Sequence, residues 1–225
     1  MVSEIWNSLQ PELIFSLIIT IFLAGFFVYA GKKVLVADPT ARPKGVVLVV
    51  ETGVKMVFDY MQSIMPKKFE KNYYPYFAML FCFIFISNIS GLIGFEAPTS
   101  NLSVTLALTL ITWILIQYNA IKKKGGLRYI WDTVWPPTNI LSVLSPLISI
   151  SMRLFGNIVG GSCLMALVYQ FTEWISFHLI NFNFLGPIIA PVLHCYFDIF
   201  CGGIQTLVFV TLSSILIMME NNDDE

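Results

Sequence analysis

One arginine inside a long apolar run limits what this chain can become more than any other feature. From Ile140 to Thr172 the only charged residue is Arg153. A helix of these 33 residues would measure about 50 Å, against a hydrocarbon core of about 30 Å, so it has to tilt strongly or follow a kinked path. A guanidinium at mid-bilayer costs roughly 3 kcal/mol on insertion scales, and a residue that carries such a cost marks a functional site by default. At about 100° per residue, Ser142, Pro146, Ser149, Gly156, Asn157 and Gly160 fall within roughly 60° of Arg153. That small, polar face suits the close approach of another helix and of water, and suits lipid poorly.

The rest of the composition agrees. With 56% hydrophobic and 12% charged residues, the chain carries about half the charge of an ordinary soluble domain, which excludes that class. The positive residues are clustered: eight of the thirteen Lys and Arg lie between Lys32 and Lys71, four between Lys122 and Arg128, and Arg153 stands alone. Cys82, Cys163, Cys195 and Cys201 lie in apolar segments without metal-like spacing, so they read as reduced packing residues. Glu4 and the lack of a basic region before the first apolar run argue against a cleaved signal. No internal repeat or low-complexity linker is visible, and residues 1–225 read as a single membrane domain.

Along the chain, Leu13 to Ala30 is just long enough to span, and Lys32 and Lys33 put its end on the cytoplasmic side. Pro39 and Pro43 break the connection. In Val46 to Met65 the polar Glu51, Lys55, Asp59 and Gln62 share one face, which predicts an interfacial helix. Tyr73 to Ile93 then spans outward, and Leu102 to Ile121 returns to the basic Lys122 to Arg128 after a short connection with Glu96 and Pro98. Trp131 and Trp135 suit an interface. Phe184 to Met219 is a second overlong segment, with Asp198 its one acidic residue and with Pro187, Pro191 and Gly202-Gly203 available for kinks. The expected fold is an all-α integral membrane protein of about five membrane helices plus one interfacial helix, the last two long and steeply tilted as a hairpin. The amino terminus is placed outside and the carboxyl terminus inside.

On the last segment, Pro191, His194, Asp198, Cys201, Gly202 and Gln205 project to one face. A carboxylate in lipid needs a cation, a proton or water. Two readings are open: a buried structural ion pair between Arg153 and Asp198, or an aqueous path along both helices.

SMRLFGN (Ser151 to Asn157) with its flanks resembles the signature of subunit a of the F-type rotary ATP synthase. FIFISNISGLIG (Phe83 to Gly94), PTSNLSVTLAL (Pro98 to Leu108) and GGIQTLVFVTLSSIL (Gly202 to Leu216) resemble that family's other blocks, in its order. The resemblance implies a non-catalytic stator subunit of the bacterial plasma membrane. Its two offset half-channels couple transmembrane proton (or sodium) flow to rotation of the c-ring and to ATP synthesis. By the same resemblance Arg153 is the essential arginine, Asn157 the asparagine that follows it, Ser149 the small residue one turn before, Gln205 the last-helix glutamine, and Asn88 the third-helix asparagine. Asp198 stands where members carry Glu or His. Ser162 departs, where Glu or His is usual, and Ser142 departs where an acidic residue commonly follows Pro137 and Asn139. His194, one turn before Asp198, is the residue expected to take over the titratable work lost at Ser162, histidine being the side chain whose ordinary titration falls between pH 5 and 8. The implied partners are the c-ring subunits, the peripheral-stalk subunit b, the rest of the synthase and membrane lipid. No cofactor, metal or nucleic acid is expected. The rival reading is a self-contained transporter or channel with an Arg153/Asp198 midplane site.

Overall fold

The computed structural model describes residues 11–36, 45–93, 97–136, 138–180 and 184–222. The expectations for the amino terminus, for Pro39 and Pro43, for Glu96, for Pro137 and for the acidic residues after Asn222 fall outside the described residues. Among those described, every regular element is helical.

Helix α1 (Pro11–Val36) opens with proline at its first position and Glu12 in its first turn, and closes with Lys33 in its last, the arrangement that the helix dipole favours. Helix α2 (Val46–Ile64) is amphipathic as expected: Glu51, Lys55, Asp59 and Gln62 are exposed, while Met61 and the following Met65 are buried against the bundle. A 3₁₀ turn at Lys67–Phe69 leads into α3 (Glu70–Ile89), which tightens into a second 3₁₀ turn at Ser90–Ile93. After the Pro98–Ser100 turn, Asn101 caps α4 (Leu102–Lys124) by accepting the Ser103 N–H at 2.9 Å. Gly125 ends that helix at φ 81°, a left-handed conformation that glycine adopts at little cost. A short helix not foreseen in the sequence, α5 (Gly126–Val134), follows, and exposes Trp131.

Helix α6 (Thr138–Ile180) is continuous over 43 residues with Pro146 inside it, about 64 Å of rise. It extends past the expected Thr172 because Glu173 and His178 are both exposed and need not enter the bundle. The last rod consists of α7 (Gly186–His194), a π-helical segment (Cys195–Cys201) and α8 (Gly202–Asn222). Among the described residues, five helical stretches are long and apolar enough to cross a membrane: 12–36, 73–92, 102–123, 138–178 and 186–220.

The core lies where α3, α4, α6 and α8 meet. Tyr74, Phe77 and Ile84 pack there with Ile116, Ile150, Leu154, Phe209, Val210 and Ile217. Trp113 Nε1–H donates to the Val143 carbonyl at 2.8 Å, tying α4 to α6 next to the proline that interrupts α6's own hydrogen bonds. All four cysteines are free. The packing role holds in part for Cys82 and Cys201, which are half-buried, whereas Cys163 and Cys195 are exposed on outward faces.

Candidate functional site

Helix α6 buries one stripe and presents another outward. Ile150, Leu154, Gly161, Met165, Thr172 and Ser176 are buried, at spacings of three to four residues or multiples of them, so a single line of the helix meets the bundle. Arg153 lies off that line and is exposed, as are Ser149, Met152, Gly156 and Gly160 around it. Arg153 makes no ion pair or hydrogen bond among the described residues. The pairing with Asp198 that the sequence left open is not formed, because Asp198 is held by a different partner.

That partner is His194. Its Nδ1 lies 2.9 Å from Asp198 Oδ2, one helical turn away, and its Nε2 lies 2.8 Å from the Tyr169 hydroxyl of α6. Toward an ionised carboxylate, which only accepts, Nδ1 would carry the proton, and a neutral imidazole would then accept from Tyr169 at Nε2. The three side chains form one hydrogen-bonded chain between α6 and the last rod. Asp198 also faces the Ser90–Ile93 turn: a Cβ at Gly91 would stand 3.8 Å from its carboxylate. Tyr169 and His194 line a cavity of about 690 Å³ together with Gly91, Pro187 and Pro191.

The π segment explains how this cluster is set apart from Gln205. Within it the chain closes i→i+5 turns, as in the Gly202 N–H bonded to the Phe197 carbonyl. Such turns hold more residues than α-helical ones, so the 100° projection that puts Asp198 and Gln205 on one stripe stops applying at Cys195. Asp198 is half-buried beside His194. Gln205 is buried in α8, and its Nε2 has no hydrogen-bond partner among the described residues.

Asn88 is buried and fully engaged. Its Nδ2 donates to the Gly202 carbonyl at 3.0 Å and to Thr206 Oγ1 at 3.4 Å, and its Oδ1 accepts from Thr99 Oγ1 at 2.9 Å. It therefore knots α3, α8 and the Pro98–Ser100 turn. Gly202 makes this possible, since a Cβ there would come within 2.9 Å of Asn88 Cβ. Asn157, one turn beyond Arg153, is half-buried, and its Nδ2 has no hydrogen-bond partner among the described residues. Ser162 is exposed, and Tyr169, seven residues later, shares its face. The tyrosine was missed because only its position two turns from Ser162 hints at it.

A second cavity, about 570 Å³, opens at the other end of the bundle between α4, α5, α6 and α8, with Gln117, Tyr129, Asn139, Ser142 and Glu220 on its walls. Arg153 lies between the two cavities along α6, about 10 Å of rise from Pro146 on one wall and about 24 Å from Tyr169 on the other.

The family ATP synthase A chain matches residues 13–218. ATP synthase subunit a of Mycoplasma genitalium is 33% identical, with 92% of this chain and 79% of that protein covered. The same subunit of Sulfurovum sp. is 32% identical over 86% of this chain and 79% of its own. That of Aliarcobacter butzleri is 33% identical over 77% and 85%.

Proposed function

The chain belongs to the ATP synthase A chain family, a multi-pass membrane subunit of that complex, and on that premise we propose that it is the stator that couples proton flow to rotation of a ring of partner subunits. The observation that carries this reading is Arg153, exposed on the outward face of α6 and without an ion pair or hydrogen bond among the described residues, between a cavity at each end of the bundle.

The chemistry follows from charge. A carboxyl on a neighbouring rotor crosses lipid only when neutral, while beside a fixed guanidinium its ionised form is favoured by about one to three pKa units. Arginine keeps its own proton at working pH. Arg153 thus makes each arriving rotor site release its proton and blocks direct passage between the two cavities, so that flow requires rotation. The cavity of His194 and Tyr169 is the outer entrance, with His194 and Asp198 as its proton-handling pair and Ser162 without that role. The cavity of Ser142 and Asn139 is the inner exit. Asn157, Gln205 and Ser149 shape the polar ground around Arg153, and Asn88 holds the last rod in register. The drive is about 2.3 kcal/mol per charge per 100 mV, and ATP chemistry resides in other subunits. We assign the surface around Arg153 to the c-ring, with the peripheral-stalk subunit b among the remaining partners. The long α6 and last rod lie steeply tilted along the ring, in a bacterial plasma membrane, and the chain acts as one membrane domain.

Copurification tests the assignment. The tagged chain is expected to bring down ring, stalk and ATP-hydrolysing subunits. Isolation of the chain alone, together with ion flux in liposomes that contain nothing else, would identify a self-contained transporter instead.

A further inference from the structure

Among the described residues, the cavity walled by Ser142 and Asn139 is lined by one carboxyl group. Gln117, Thr133, Asn139 and Ser142 contribute neutral polar groups, Tyr129 a phenol, and Glu220 of α8 an acid. The Tyr129 hydroxyl is hydrogen-bonded to Gln117 Oε1, and a phenol is a far weaker acid than a carboxyl group. Glu220 is therefore the acid–base candidate among the described residues of this wall.

Its helix points the same way. Gln205, Ser213, Leu216 and Glu220 lie within an arc of about 80° on α8, and Leu216 and Glu220 both line the cavity. Gln205 Nε2 and Ser213 Oγ are buried without partners among the described residues. Buried polar atoms left over by the protein are where ordered water binds. The face thus carries two such points and ends, about 22 Å beyond Gln205 at 1.5 Å per residue, in a carboxylate at the basic end of the bundle. Lys122 is exposed there, and Lys123 Nζ is buried without a partner among the described residues.

We propose that Glu220 is the acid–base group of the inner cavity, which carries protons between the water-binding face of α8 and the cytoplasmic solution. In the step itself, a proton delivered along Gln205 and Ser213 binds a carboxylate oxygen of Glu220 to give the neutral acid. Loss of that proton to bulk water restores the carboxylate. The assignment rests on the translocation reading above.

The test uses the intact complex in liposomes, with ATP-driven proton uptake normalised to ATP hydrolysis and to the complex recovered. The acids after Asn222 are left unchanged. Glu220→Gln is expected to lower uptake at least about tenfold, a lower bound set against the hundredfold or more that a positioned acid–base group contributes to proton transfer. Glu220→Asp should keep most of the rate, and Ser142→Glu combined with Glu220→Gln should restore it from the opposite wall. If Glu220→Gln assembles poorly, the double variant decides, and recovered assembly without recovered uptake overturns the proposal. Arg153→Ala in the same liposomes separates the two readings. Uptake that survives there removes translocation as a whole, whereas a dead Arg153→Ala beside a Glu220→Gln that pumps like the parent removes Glu220 alone.

Discussion

His194 Nδ1 stands 2.9 Å from Asp198 Oδ2, at the junction where α7 passes into the π segment, and the Tyr169 hydroxyl closes the other side of the ring at 2.8 Å. The imidazole is thereby held through both ring nitrogens at a cavity wall. A histidine held in this way can accept and pass on a proton, so His194→Gln should lower coupled proton flow and change its pH dependence. Ser162→His, introduced into the same variant, should return part of the flow. Tyr169→Phe should keep the complex assembled but alter the pH profile, since it frees Nε2 without removing the ring. A His194→Gln profile that superimposes on the parent would take His194 out of the path.

The contact between Gly202 and Asn88 gives a stability prediction. A methyl at Gly202 would meet Asn88 Cβ at 2.9 Å, whereas one at Gly203 would meet only Phe85 Cε2 at 3.6 Å, an ordinary contact. Gly202→Ala should therefore destabilise the subunit by about 1–3 kcal/mol through overpacking. Gly203→Ala should be neutral or stabilising by up to about 1 kcal/mol from helix propensity. Thermal release of the subunit from detergent-solubilised complex measures both, and equal effects would show that α3 and α8 are free to part.

The two basic clusters give an orientation to test. Single cysteines at Ser3, Lys68, Lys124 and Asn222, in a background without the native cysteines, should react with an impermeant thiol reagent from opposite sides of the membrane. Ser3 is expected to label from outside and the other three from inside. Labelling of Lys124 from outside would invert the assignment.

Much of this architecture is legible in the chain because it rests on period and length. The α2 polar face and the outward stripe around Arg153 both follow from a 3.6-residue repeat, and the basic clusters mark the helix ends. The π segment is not legible: CYFDIFC contains no glycine or proline, and the helix changes its pitch in a stretch with no local signal, which divides the stripe predicted for His194, Asp198 and Gln205. Tyr169 was invisible for a different reason. Its partner lies 25 residues away on another helix, and a lone tyrosine on an apolar face carries no pattern. Glu220 reads as the first residue of an acidic tail until α8 is seen to bring it to a cavity wall.

Exposed on α6 and without an ion pair or hydrogen bond among the described residues, Arg153 is proposed to make proton flow depend on rotation. ATP-driven proton pumping by the intact complex in liposomes tests it most directly. Arg153→Ala is expected to abolish pumping with the complex still assembled, and Arg153→Lys not to restore normal coupling, because a compact ammonium lacks the planar, delocalised fork of the guanidinium. Pumping at near the parental rate by the Arg153→Ala complex would contradict the account.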